Sequence, residues 1–368
     1  MQTPEAIKTA RRAIEICKAC RYCDGYCIVF EAMELRRGCT AADIGYLANL
    51  CHNCRNCYYA CQYAPPHEFA INLPKSFSEI RMDTYRRYAW PHPPDIIFRR
   101  NGVAVATFTA LAIAITVTLT LMLRSPSGYF KPHLDQAGFY AIVPWKIMVS
   151  VAGAAIGMSL VSLTVSLRRF WRDMGGGRIF NDRVIRVLST VIYDVLSLRN
   201  MGGGEGHGCN DRDESFSRAR RYCHHATFYG FMLCSASTIV ASVYDHVLNW
   251  RAPYPLLSIP VVLGTGGGLC FIVGAAGFGL IKLTGDPSPV SRSMLGSDYA
   301  MLGLLLVLAG SGLAVLALRD TAGMSILLAI HLGIVLSFFL LLPYSKLVHG
   351  IYRTAALLRA AMEREASK

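Results

Sequence analysis

Nine of the 13 cysteines crowd into the stretch from Cys17 to Cys61, and eight of them form two matching combs. Cys17, Cys20, Cys23 and Cys27 stand at C-x2-C-x2-C-x3-C, and Cys51, Cys54, Cys57 and Cys61 repeat that spacing 34 residues later. Three thiolates at this spacing wrap three corners of one [4Fe-4S] cube, while the fourth reaches across to a second cube. The crossing rule assigns Cys17, Cys20, Cys23 and Cys61 to one cluster and Cys27, Cys51, Cys54 and Cys57 to the other, which forces the two close together. Zinc commonly takes two separated C-x2-C pairs. It has no use for a fourth cysteine at x3 that appears twice.

The comb has the bacterial ferredoxin spacing. Small ferredoxins place proline directly after the fourth cysteine, whereas Ile28 follows Cys27 here and Gln62 follows Cys61, with Pro65 and Pro66 slightly late. That departure suits a helical ferredoxin-like module, with short helices expected over 31–37 and 41–50. Cys39 fits neither comb and reads as a plain buried thiol.

Histidines carry the second chemical signal, because ionisable side chains inside apolar spans are costly and therefore functional candidates. His224, His225 and His246 mark the two ends of one apolar stretch, and His331 and His349 lie on another. His331 and His349 are 18 residues apart, five turns of an uninterrupted helix and about 27 Å along it. His246 lies 22 and 21 residues from His224 and His225, again close to one face. In antiparallel spans His225, or its neighbour His224, would face His349, and His246 would face His331. Facing imidazoles of this kind ligate b-type haem, so one or two haems are expected.

The elements that must position these groups are apolar. Hydrophobic residues make up 53% of the 368, charged residues 17%, and mean hydropathy is +0.35. This excludes disorder, collagen-like repeats and a small disulfide scaffold, and disfavours a purely soluble enzyme. A net charge of +13 on so apolar a chain does not describe a nucleic-acid partner; it describes basic loops beside a membrane. Six spans of the length a helix needs to cross hydrocarbon are expected near 102–123, 147–167, 225–247, 258–281, 299–318 and 321–349, the last running through Pro343. With the N-terminal head inside, 32 of the 37 Lys and Arg fall on the inner side. Residues 1–16 hold no apolar run that would export the head. The expected location is therefore a bacterial cytoplasmic membrane, with both termini and the cysteines in the reducing cytoplasm.

Domains are expected at 1–100 (double-cluster head), 101–349 (span bundle, with a Gly-rich loop over 168–224) and 350–368 (tail). The loop's glycine runs lack the Lys-Ser or Lys-Thr of a phosphate cradle, and G-x-G-x-x-G is nowhere in the chain. The loop reads as flexible surface or as a docking surface. Asp245 and Asp298 sit at span ends and read as solvated carboxylates.

The doubled comb, the six spans and the Gly-rich loop before Arg220-Arg221-Tyr222-Cys223-His224-His225 together resemble the tricarballylate and citrate utilization protein B family, the CitB-domain proteins. Ala252-Pro253-Tyr254-Pro255 and the run Leu263-Gly264-Thr265-Gly266-Gly267-Gly268 belong to the same likeness. The 18-residue histidine spacing is also similar to that of the haem-binding subunit of respiratory nitrate reductases. The resemblance implies a membrane partner of an FAD-containing dehydrogenase that oxidises tricarballylate to cis-aconitate. This chain would reoxidise the FADH2 and send electrons toward the quinone pool, with the eight comb cysteines as cluster ligands.

The expectation is an all-α electron-transfer subunit, without substrate chemistry of its own, whose partners are the flavoprotein, membrane lipid and quinone. Three other readings compete, one of which keeps the electron wire but changes the donor, for example to a heterodisulfide or glycolate oxidase-like system. A redox sensor would need an output module, and 25 residues from 344 to 368 are short for one. A zinc-structured anchor would hold neither iron nor haem.

Overall fold

The computed structural model describes residues 4–123, 129–132, 138–177, 182–204 and 206–367. Glu205 of the second glycine run, and Arg124, Arg178 and Lys368 of the basic tally, lie outside the described residues.

The head is helical. α1 (Pro4–Cys20) has Glu5 in its first turn and Lys18 in its last, charges that complement the helix dipole. It buries Ala10, Ala13 and Ile14, a stripe at helical spacing. α2 (Ile28–Glu34) starts directly after Cys27, with Glu31 in its first turn. α3 (Ala41–Leu50) opens on a capping box: Asp43 N–H donates to Thr40 Oγ at 3.2 Å, and Thr40 N–H donates to the Asp43 carboxylate at 3.0 Å. It ends where Cys51 begins the second comb. α4 (Leu73–Tyr88) is capped by Asn72, with Pro74 in its first turn.

Among the described residues six helices are long and apolar enough to cross a membrane: α5 (Asn101–Leu123), α6 (Trp145–Asp173), α8 (Ala219–His246), α9 (Ile259–Thr284), α10 (Leu295–Ala317) and α11 (Met324–Leu341). Their outward faces leave Met122, Ile239, Val273 and Leu283 more than 60% exposed, the pattern of a surface that meets lipid. α8 and α9 approach closely through small residues: a Cβ on Gly230 would sit 2.8 Å from the Gly267 carbonyl oxygen. The amphipathic α7 (Asp182–Leu196) links α6 to α8 and buries Val184, Val187 and Val191. Among the described residues there is no β-strand, and one isolated antiparallel bridge joins Cys209 to Ser217.

Three expectations are corrected. The sixth span does not run on to His349: α11 ends at Leu341, two 3-10 turns follow (Leu342–Tyr344 and Lys346–Val348), and α12 (His349–Ala366) starts afresh. Pro343 cannot donate to the helix ladder, so His331 and His349 sit on different helices and the five-turn argument does not apply. The tail, over its described residues 350–367, packs against the head through α12. Tyr352, Ala355, Ala356 and Ala360 are buried in one core with Tyr85 and Tyr88 of α4, Phe170 of α6 and Val187 of α7, and Glu363 pairs with Arg36 of the head at 2.7 Å. The Gly-rich loop is folded onto the second comb. Asp298 is 3% exposed and lies between the ammonium groups of Lys282 and Lys346, because both lysines converge on its carboxylate from the adjacent helix ends.

Candidate functional site

The duplication persists in the backbone. Arg21 and Arg55, 34 residues apart, both adopt the left-handed region, with φ of 59° and 68°, turning the chain between the second and third cysteines of each comb. One small pocket is lined by Cys17, Cys20, Cys23, Cys57 and Cys61. A second, of about 330 Å³, is lined by Cys27, Cys51, Cys54 and Cys57. Each pocket thus mixes the two combs, with Cys61 brought to the first comb's trio, Cys27 to the second's, and Cys57 lining both.

Crowding marks both groups. Burial, followed by repulsion from Cys61, Cys23 and Cys20, pushes the Cys17 thiol up to about 12. Burial raises Cys54 to about 11 and also raises Cys27 and Cys57, with their pocket-mates adding to it. Thiolates gathered this way need a cationic centre to be ionised together. Among the described residues no three His, Cys, Asp or Glu side chains close around a single ion, whose Zn–S bonds would be about 2.3 Å. The donors at the comb spacing are all thiols, the chemistry that iron–sulfur clusters take. Cys39 lines neither pocket and is half-buried.

The two pockets differ in surroundings. The first is near the surface, where Tyr22 is 63% exposed. The second is roofed by Gly203, Gly204 and Gly206 of the loop. A Cβ on Gly204 would sit 2.2 Å from the Tyr26 carbonyl oxygen, so the roof can come this close only as glycine. Asn210 N–H donates to the Cys54 carbonyl at 2.9 Å, and Asn56 Nδ2 donates to the Gly208 carbonyl at 3.2 Å, fastening the roof. Arginines surround this pocket from three directions. Arg81 and Arg353 each donate to the Cys51 carbonyl at 2.9 Å, and Arg220 donates to the Asn53 carbonyl at 2.7 Å. Sequence reasoning missed Arg81 and Arg353, which carry no motif; burial of an arginine is visible only in the fold.

Past the second pocket the chain places its histidines. His52 follows Cys51, and burial pushes its imidazole well below its ordinary range, with Arg353 and His224 adding charge nearby. The rings of His224 and His349 lie 6.1 Å apart, centroid to centroid, with planes at 81°. His349 Nδ1 is 2.7 Å from the Lys346 carbonyl oxygen. That geometry makes Nδ1 the donor and leaves the Nε2 lone pair free, the arrangement usual for metal-ligating histidine. Burial, helped by Arg353, pushes His349 down to about 3, so the ring is neutral. His224 Nδ1 is buried without a hydrogen-bond partner. A metal between two imidazoles, with bonds of about 2 Å, separates the ring centres by roughly 6 Å. The 6.1 Å between the two rings is of that size.

The other histidines go elsewhere. His225 stacks on Tyr229, centroids 5.7 Å apart and planes 1° from parallel. His246 accepts from Trp145 Nε1 at 3.0 Å and lies 3.4 Å from the Asp245 carboxylate; no ring contact joins it to His331 among the described residues. His331 Nδ1 is 2.9 Å from Ser311 Oγ. It lines a cavity of about 570 Å³ between the spans, walled by Phe231, Leu313, Val335 and Phe338. Asp245 accepts from Tyr140 at 3.0 Å.

Two family models match the chain. "Citrate utilization protein B" covers residues 98–368, and "Citrate utilization protein B Fer4-like domain" covers residues 10–87. Citrate utilization protein B of Escherichia coli is 42% identical across 99% of this chain and 94% of its own length. No solved structure matches. The ferredoxin-like match implies iron–sulfur clusters in the head.

Proposed function

The chain belongs to the citrate utilization protein B family, and from that premise we propose that it carries electrons from the reduced flavin of a partner dehydrogenase, through two [4Fe-4S] clusters and one b-type haem, to quinone. The dehydrogenase is of the tricarballylate or citrate utilization type. The observation that carries the reading is an ordered series: a cysteine pocket near the surface, a roofed cysteine pocket, His52, the His224 and His349 pair, and the span bundle.

When bound, the clusters and haem supply one-electron chemistry between two-electron partners. FADH2 releases two electrons and two protons; a quinone takes up two of each to become quinol. The chain's own residues do the rest. Cys17, Cys20, Cys23 and Cys61 hold the entry centre where a flavoprotein can approach. Cys27, Cys51, Cys54 and Cys57 hold the inner one, and the glycine roof keeps water and oxygen from it. Lys346 orients His349 through its carbonyl, and His349 and His224 would be the residues that hold the haem. The apolar cavity beside His331 accommodates the quinone, with the imidazole, braced by Ser311, as hydrogen-bonding partner for a carbonyl. The weight of basic residues on the head's side supports a cytoplasmic head.

Deleting this chain from membranes that contain the dehydrogenase tests the proposal. Substrate-dependent quinone reduction should stop while the dehydrogenase still reduces an artificial dye. Undiminished quinone reduction would refute it.

A further inference from the structure

We propose that Arg81 and Arg353 set the order of the two cluster potentials, holding the one in the Cys27, Cys51, Cys54 and Cys57 pocket above the one in the Cys17, Cys20, Cys23 and Cys61 pocket, so that electrons collect beside the histidines. This rests on the electron-transfer reading above and deepens it by giving the wire a direction.

The two guanidinium groups arrive from distant parts of the chain, α4 and α12, and converge on one atom. Arg81 Nη1 donates to the carbonyl of Cys51 at 2.9 Å and to that of Ala48 at 3.1 Å, and Arg353 Nη2 donates to the same Cys51 carbonyl at 2.9 Å. Arg81 is 7% exposed, and Arg353 Nε is buried without a partner. Among the described residues neither forms an ion pair. Two buried like charges without a carboxylate are costly; burial and the neighbouring Arg81 push Arg353 down to about 10. Four thiolates around an iron–sulfur cube are the anion that relieves them.

Of the other charges nearby, Arg220 pairs with the Asp211 carboxylate, and Lys282 and Lys346 share Asp298. Arg55, 7% exposed and lining the pocket, donates to the backbone carbonyls of Asp211 and Asp286 and adds to the same positive surroundings. The first pocket has the opposite surroundings. Arg21 is exposed and bound up with Asp24 and Glu34, and Asp24 adds negative charge beside Cys23. Adding an electron adds negative charge. Nearby cations in a low-dielectric interior stabilise it and a carboxylate opposes it. Burial of the second pocket works against reduction, and Arg81 and Arg353, together with Arg55, offset it.

The test is an EPR-monitored redox titration of the full-length, cluster-loaded protein. Two waves are expected. Cys20→Ala, which empties the first pocket, should leave the higher one and so assigns it. Arg81→Gln and Arg353→Gln should each move that wave to lower potential and leave the other in place, while Arg81→Lys and Arg353→Lys restore it. Waves unmoved by both Gln variants, or both waves moved equally, would overturn the proposal. So would equal loss of iron in the Gln and Lys variants, which would make the arginines purely structural. Absence of both waves from the unaltered protein would instead sink the electron-transfer reading itself.

Discussion

The imidazoles of His224 and His349 stand 6.1 Å apart with their planes at 81°, although His224 lies in the second turn of α8 and His349 opens α12, more than a hundred residues later. The contact forms because α11 stops at Leu341 and α12 restarts at His349, turning its first side chain back toward the start of α8. Replacing either histidine should therefore remove the haem. His224→Ala and His349→Ala are expected to lose the b-type absorbance of the purified protein, whereas His225→Ala, whose ring packs on Tyr229, should keep it.

The crossing of the combs predicts which cysteines fail together. Cys61→Ala should deplete the same cluster as Cys17→Ala, despite lying in the other comb, and Cys27→Ala should deplete the cluster lost in Cys51→Ala. EPR spectra of the four variants check this. Pairing within each comb would instead put Cys27 with Cys17 and Cys61 with Cys51.

Much of this arrangement was legible in the sequence. The repeated spacing of Cys17 to Cys27 and Cys51 to Cys61 marks the Fer4-like head, because ligand spacing is a local property of the chain. The six spans were legible because twenty apolar residues in a row have few other uses. Histidine partners were not, since they depend on where a helix breaks. The reading of 321–349 as one helix took Pro343 for a tolerated interruption, and that choice moved His349 onto the wrong axis. α12 was missed because its buried stripe is alanine and single aromatics, too weakly apolar to stand out beside true spans. Arg81 and Arg353 gave no signal, because nothing local tells a buried arginine from a surface one.

Asp298 offers a stability test away from the redox centres. Its carboxylate lies between Lys282 and Lys346, and Asp298→Asn would leave two ammonium groups facing each other in a buried place. Removing one partner of a buried ion pair costs about 3–5 kcal/mol. Thermal unfolding in detergent should shift strongly downward for Asp298→Asn, and replacing all three residues with apolar ones of similar size should recover much of the loss.

The glycine roof predicts a change in oxygen sensitivity. Any side chain on Gly204 must push away from the Tyr26 carbonyl and lift the loop from the second pocket. In air, Gly204→Val is expected to lose iron faster than the unaltered protein, and from the Cys27, Cys51, Cys54 and Cys57 centre first. Iron retention followed over hours, with EPR to identify the centre, measures it.

The central claim is that the chain is a wire of clusters and haem, and its most direct test is the iron, acid-labile sulfide and haem content of anaerobically purified protein, with a reduced-minus-oxidised spectrum. About eight cluster irons with as many sulfides, plus one b-type haem that disappears in His349→Ala, is the predicted result. Zinc in the cysteine pockets, without iron or haem, would contradict the account.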